Sequence, residues 1–293
     1  MKAITKKLLC IGTGYSAQVI ARKLLSNDKL NSWSIYGSYR KQKQAKDLSN
    51  LGVIPINYDN LADKLLTVDA ILSSIPPDKD GDPVINQYGA ILSKLNKKHW
   101  IGYFSTTGVY GDTKGTLVDE TAPLKPTTER SKRRVVAESI WLKYDAHIFR
   151  LPGIYGYGRS SLDKIRGGLA RRIDRPNHLF SRIHVDDIAQ CIIASINRPN
   201  PGSIYNICDD EAAEQQLVDA YASKLLGTKP PPLVPFKDAA KEMSPMALTF
   251  WQDNRRVSNT KIKNELGVRL FYPTFREGLK SLYKNVEGIN ETL

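Results

Sequence analysis

Residues 10–17 read Cys10-Ile11-Gly12-Thr13-Gly14-Tyr15-Ser16-Ala17, a GxGxxA pattern that follows an apolar run and opens a helix-like one. A strand that ends in such a loop and turns directly into a helix is the opening of a dinucleotide-binding βαβ unit. Gly12 permits the tight turn, Gly14 keeps a Cβ out of the path of a pyrophosphate, and Ala17 lets the helix pack closely on the strand. The first turn, through Tyr15 and Ser16, then offers free N–H donors and the positive end of the helix dipole to an anion. Taken alone, the same residues also suit a glycine turn that joins strand to helix without a ligand.

The context supports the first reading. Apolar runs predict strands at 7–11, 34–39, 53–58, 70–74, 100–106 and 146–151. Amphipathic stretches predict helices at 16–25, 41–51, 61–66, 83–94 and 131–143. This rhythm describes an α/β chain: a Rossmann-type doubly wound parallel sheet over residues 1–155, with a smaller C-terminal substrate lobe at 156–182 and 211–293. Strand-like sequence at 203–208 is expected to complete the sheet within about 183–210. Helices are predicted at 185–196 and 214–226, and the proline run 229–235 must be extended, as a rigid connector.

Cofactor preference is read at the end of the second strand, where an acidic residue would accept hydrogen bonds from the ribose hydroxyls of NAD. Here the sequence is Tyr36-Gly37-Ser38-Tyr39-Arg40-Lys41, with no carboxylate. Arg40 and Lys41 suit the 2′-phosphate of NADP, which is expected ahead of NAD; two solvated cations at a helix start are the alternative. By topology, Asp59 after the third strand is placed near the adenine. Ser74, Ile75 and Pro76 after the fourth are placed along the middle of the cofactor.

The chain also carries Phe104-Ser105-Thr106-Thr107-Gly108-Val109-Tyr110-Gly111, Arg150-Leu151-Pro152-Gly153-Ile154-Tyr155-Gly156 and Arg182-Ile183-His184-Val185-Asp186-Asp187-Ile188-Ala189. With the glycine loop, their order and spacing over about two thirds of the chain resemble the extended branch of the short-chain dehydrogenase/reductase superfamily, the NAD-dependent epimerase/dehydratase family. The tail from Gly267 to Leu279 is similar to bacterial members classed with the nucleoside-diphosphate-sugar epimerases. The resemblance implies that Thr106 hydrogen-bonds the reacting oxygen, that Pro152 borders the cofactor, and that a YxxxK helix supplies a proton-transferring Tyr and a ribose-holding Lys. Lys132 takes the lysine position, and four residues earlier stands Thr128 instead of Tyr. An aliphatic hydroxyl is too weak an acid to replace a phenol. The chain therefore resembles the atypical members with an altered active site, and Tyr110 and Tyr155, near the carboxyl ends of strands, are alternative acid/base candidates.

On the substrate side, Tyr155, Arg159, Arg172, Arg182 and His184 are candidate contacts, the arginines for phosphate or carboxylate. The formal net charge of +13 agrees with an anionic small-molecule ligand. The basic residues are scattered and no nucleic-acid module accompanies them, so no nucleic-acid partner is expected. The cysteines Cys10, Cys191 and Cys208 show no metal-ligand spacing, and no metal site is expected. No apolar run reaches the roughly 18 residues of a membrane span, and no signal-type segment opens the sequence. The expectation is a cytoplasmic protein without a membrane partner, and a homodimer by analogy with the extended branch. Two functions stay open: an NADP-dependent oxidoreductase or epimerase acting on an anionic, nucleotide-linked sugar, and an NADP-binding sensor or scaffold without turnover.

Overall fold

The computed structural model describes residues 5–26, 33–95 and 99–290, with the side chains of 285–290 excepted. Its centre is a seven-stranded parallel sheet. The strands are β1 (Lys6–Ile11), β2 (Trp33–Tyr39), β3 (Ile54–Asn57), β4 (Ala70–Ser73) and β5 (Trp100–Thr106). After β6 (Leu117–Val118), a short strand outside this sheet, β7 (His147–Leu151) continues it. Helices α1 (Tyr15–Leu25), α2 (Gln42–Asn50), α3 (Ala62–Leu65), α4 (Pro83–Leu92) and α5 (Glu129–Leu142) make the crossovers. Beyond β7 run β8 (Gly153–Tyr155), α6 (Ser161–Arg166), β9 (Arg172–Asp174), β10 (Arg182–His184), α7 (Val185–Asn197) and β11 (Ile204–Asn206). The chain ends with α8 (Gln215–Leu225), β12 (Leu233–Pro235), α9 (Phe236–Ala239), α10 (Pro245–Gln252), β13 (Arg256–Val257), α11 (Thr260–Leu266) and α12 (Phe275–Asn290).

The sheet order is β11-β7-β5-β4-β1-β2-β3. The chain winds outward from β1 through β2 to β3, then returns to β4 on the other side of β1. Such a reversal opens a crevice at the carboxyl ends of the two strands, where α/β sheets bind ligands.

Alternation along each strand feeds two cores. Leu8 and Cys10 of β1 join Leu72, Phe149 and the α1 and α7 residues Ile20, Leu24, Ile188 and Ile192 on one face. Leu9 and Ile11 join Ile71, Tyr103 and Trp141 of α5 on the other. A sheet covered on both faces needs apolar residues at successive positions, so β1 reads as a continuous run. Local signals set the helix starts. Asp82 caps α4 by accepting the Val84 and Ile85 N–H groups, with Pro83 in the first turn.

The chain returns to the sheet at β11, within the expected 203–208, and pairs with β7 in register Tyr205↔Phe149. The segments outside the sheet are tied by short parallel pairs, β8 with β10, β9 with β12 and β6 with β13. They also build a third core from Tyr155, Leu162, Val218, Phe275 and Leu279. The proline run is extended as expected, but it is no free-standing connector. Leu233–Pro235 forms a ladder with β9, and the Pro231 carbonyl accepts from Arg172. Among the described residues no helix is long and apolar enough to cross a membrane, and no group of three His, Cys, Asp or Glu is placed to hold a metal ion.

Candidate functional site: a cleft at the switch point

An open cleft of about 500 Å³ lies at the carboxyl ends of the strands. Gly14 to Ala17, Ser74, Thr106 and Pro152 all line it, from the loops after β1, β4, β5 and β7. The glycine loop is held from behind. The Gly12 N–H donates to Ser38 Oγ at 2.8 Å, and Ser74 Oγ donates to the Gly12 carbonyl at 2.8 Å. Gly12 has φ +86°, and a Cβ there would lie 2.8 Å from Ser74 Oγ, so the position requires glycine on two counts. Gly14 differs. It is the N-cap of α1 in ordinary extended conformation, and a Cβ added to it meets nothing within 4 Å. No side chain caps α1 and no acidic residue lies in its first turn. Among the described residues the N–H groups of Tyr15, Ser16 and Ala17 have no protein acceptor. A cradle that a Cβ would begin to fill, bordered by free N–H donors, fits a dinucleotide pyrophosphate.

Arg40 and Lys41 follow the carboxyl end of β2, one strand in from the sheet edge, outside the lining of this cleft. The Arg40 guanidinium stacks 4.4 Å from the Tyr58 ring centroid, and the backbone N–H groups of both residues donate to Gln44 Oε1. The stacking aligns a planar cation beside the β2–β3 loops without engaging it in an ion pair. Asp59 is exposed next to Tyr58, with its N–H on Asn57 Oδ1. Ile75 packs on the glycine turn, its Cγ1 2.9 Å from where a Gly12 Cβ would stand. Pro76 continues that loop outside the cleft lining.

The end of β5 and the start of α5 depart most from the sequence reading. Thr106 lines the cleft, and its Oγ1 accepts the Gly108 N–H at 3.1 Å, which leaves its proton available to a ligand oxygen. Thr128, in the place expected for a tyrosine, is the N-cap of α5, with Oγ1 accepting the Ser131 N–H and donating to Ser131 Oγ. The helix begins two residues before the expected 131. Helical spacing from that cap turns Arg130, Ser131 and Arg134 to the cleft. Lys132 points outward, exposed, in an ion pair with Glu129 at 2.7 Å. Lys132 is thus corrected from a ribose-holding residue to a surface one.

Tyr110 is also removed from the chemistry. It is fully buried, donates to Asn206 Oδ1 and accepts from Arg150 Nη1, each at 2.8 Å, and burial pushes its phenol up. Arg150 in turn forms a fork on Glu138, whose other contact is the Ser105 hydroxyl at 2.5 Å. Tyr15 is the one tyrosine of the cleft lining. Its hydroxyl donates to the Tyr157 carbonyl, and burial raises its pKa.

On the substrate side, Arg159 and Arg182 line the cleft. Arg159 lies over the Tyr15 ring, whereas Arg182 is buried and spends its donors on the Phe180 and Ala213 carbonyls and Gln215 Oε1. The other three expected contacts are corrected. Tyr155 packs in the third core and reaches the Thr274 carbonyl at 3.4 Å. Arg172 is held by Pro231. His184 caps α7 by accepting the Asp186 N–H, and is wedged between Tyr155 and Tyr272; burial pushes its imidazole down to about 4. In each case packing outweighs exposure, because the residue lies in a short strand, β8, β9 or β10, whose parallel pairing locks two segments together.

The sequence reading missed the opposite wall, formed by Thr249, Phe250, Asp253 and Arg255. Asp253 accepts from Thr127 and from Arg255 Nη1 at 2.6 Å. No motif marks this wall, because it comes from the end of α10 and the short link to β13, far along the chain. The Arg130 and Arg134 pair did have a signal, two arginines four residues apart.

No protein-family model matches the chain. A conserved protein of unknown function from Silicibacter pomeroyi is 44% identical, with 96% of this chain and 99% of that one aligned at a TM-score of 0.89. Protein YeeZ of Escherichia coli K12 is 26% identical over 289 residues, covering 92% of this chain and 97% of its own. Human epimerase family protein SDR39U1, solved with NADPH, aligns at TM-score 0.76 and 15% identity over 96% of this chain and 100% of that one. The dTDP-glucose 4,6-dehydratase of Bacillus anthracis, solved with NAD, aligns at 0.74 and 18% identity over 98% of each. The chain belongs to one family with the Silicibacter pomeroyi protein, and its fold is the one shared by the epimerase-family and dehydratase structures it aligns with.

Proposed function

We propose that this chain binds a nicotinamide dinucleotide, NADP in preference to NAD, and acts as an oxidoreductase or epimerase on an anionic, nucleotide-linked sugar. The observation that carries the reading is the uncapped start of α1 beside Gly14, where space and free N–H donors coincide at the switch point. The neighbours solved with NADPH and with NAD support the cofactor class, and the cations along the cleft support an anionic substrate. When bound, the cofactor supplies or accepts a hydride. Gly12 to Ala17 hold its pyrophosphate, Ser74 and Pro152 border it, and Arg40, braced on Tyr58, takes the 2′-phosphate. Thr106 donates a hydrogen bond to the substrate oxygen, one of its own lone pairs being taken by the Gly108 N–H.

Calorimetric titration with NADPH, NADP and NAD tests this reading. Binding of NADPH is expected, and Arg40→Ala should weaken NADPH by about tenfold or more while leaving NAD nearly unchanged. Absence of binding by all three would sink the proposal. A panel of nucleotide sugars, followed by nicotinamide absorbance, tests turnover, which Thr106→Ala should abolish. The engagement of Thr128 as a helix cap favours a second reading, a dinucleotide-responsive sensor. Tight NADPH binding with no turnover across the panel would select it.

A further inference from the structure

The α5 face that lines the cleft presents two arginines without a counterion. Arg130 and Arg134 are four residues apart, so their side chains leave the helix on one side, about 5–6 Å apart at Cβ. Arg134 is 7% exposed. Its Nη1 is fixed by the Tyr103 hydroxyl at 2.8 Å and the Phe104 carbonyl at 2.5 Å, while its Nε is buried with no partner. Among the described residues neither arginine forms an ion pair, and Arg130 has no hydrogen-bond partner.

This arrangement is costly in isolation. A buried guanidinium normally requires a carboxylate, and two like charges at this helical spacing repel. The same helix meets that requirement one turn further on, where Glu138 takes the buried Arg150 in a fork. The other charges facing the cleft do not relieve the pair. Arg159 and Arg182 add positive charge, and Asp253 is already engaged by Arg255 and Thr127.

We propose that Arg130 and Arg134 form a receptor for one oxyanion group of the substrate, a carboxylate or a phosphate, beside Thr106. The proposal deepens the reading of the cleft as an anionic-substrate site and rests on it. The group cannot be a cofactor phosphate if the pyrophosphate takes the α1 loop and the 2′-phosphate takes Arg40. Placing the anion at Thr106 puts the charged group close to the reacting carbon. Two guanidiniums there bind the ground-state anion and also stabilise negative charge that develops on the neighbouring oxygen. A lysine at the outward position of Lys132 does neither.

The test titrates inorganic phosphate and malonate, at constant ionic strength, into the free protein and into protein saturated with NADPH. Saturable binding of at least one anion is expected, undiminished by NADPH, and whichever binds more tightly identifies the group as phosphate or carboxylate. Arg130→Gln, an exposed substitution, should weaken that anion by about tenfold and leave NADPH affinity and Tm unchanged. Arg159→Gln should weaken it by less than half as much on a logarithmic scale. Arg134→Lys should fold and show the same loss as Arg130→Gln. The inference is overturned by no saturable binding up to tens of millimolar, by displacement with NADPH, or by equal losses in the Arg130 and Arg159 variants. NADPH binding is read separately, so a failure of the dinucleotide reading is distinguishable from a failure of the receptor.

Discussion

Gly12 and Gly14 lie two residues apart and are glycine for different reasons. At Gly12 an alanine would be forced to φ +86° with its Cβ against Ser74 and Ile75. Gly12→Ala should therefore cost about 2 kcal/mol or more, read as a drop of several degrees in Tm. At Gly14 the same change meets nothing in the protein. Gly14→Ala should leave Tm unaltered and weaken NADPH by about tenfold or more, and an unaffected titration would show that the pyrophosphate lies elsewhere.

His184 offers a residue-scale test of a different kind. Burial holds its folded pKa at about 4 against 6.5 for the free side chain, so on acidification the unfolded chain takes up the proton first. Stability is then lost as pH falls from about 6.5 towards 4, by at most about 3 kcal/mol from this group. His178, also pushed down to about 4, acts in the same direction, whereas Asp187, pushed up to about 6, acts in the opposite one. His184→Asn keeps an acceptor for the Asp186 N–H and removes the titration. Urea midpoints from pH 7 to 4 should fall less steeply for the variant; parallel curves would refute the assignment.

The glycine loop was legible because it answers a backbone requirement that few residues meet. The orientation of Lys132 was not, because it depends on where α5 begins, and the hydroxyl of Thr128 decides that by capping.

At the scale of elements, β5, α5 and β7 are joined through a buried charged cluster. Arg150 and Glu138 are 2% and 3% exposed in their side chains, and the fork between them extends to Ser105 and Tyr110. Replacing one partner strands the other charge in a low-dielectric interior, which costs about 3–5 kcal/mol. Glu138→Gln should show that loss in its denaturation midpoint; a change below about 1 kcal/mol would mean that water reaches Arg150. The cluster sits directly behind Ser105 and Thr106, so it sets the carboxyl end of β5 rigidly against α5.

The central strands were readable because a sheet covered on both faces demands unbroken apolar runs. The pairs β6–β13 and β9–β12 carry no such signal. They are two or three residues long, and tertiary context forms them rather than periodicity.

At the scale of the molecule, the cleft is closed by parts of the chain that the sheet does not organise. Residues 14–17 and Thr249, Phe250, Asp253 and Arg255 line the same cleft, although more than two hundred positions separate them. The wall is unequally anchored. Trp251 packs against His178, Phe180 and Phe236, while α10 contains no buried residue, and Met246 and Phe250 are 68% and 55% exposed. A helix so placed opens at little cost, and its amides should exchange quickly in the free protein. Ligand that fills the cleft buries Phe250 and links this wall to the α1 loop, with stability rising as RT ln(1 + [L]/Kd), about 2.7 kcal/mol at a hundredfold excess over Kd. Hydrogen exchange should therefore show protection at 14–18 with NADPH alone, and at 246–252 once an anion joins it beside Arg130. Protection of the α1 loop with unchanged exchange in α10 under both conditions would place the substrate short of Phe250 and confine the site to the Rossmann half of the cleft.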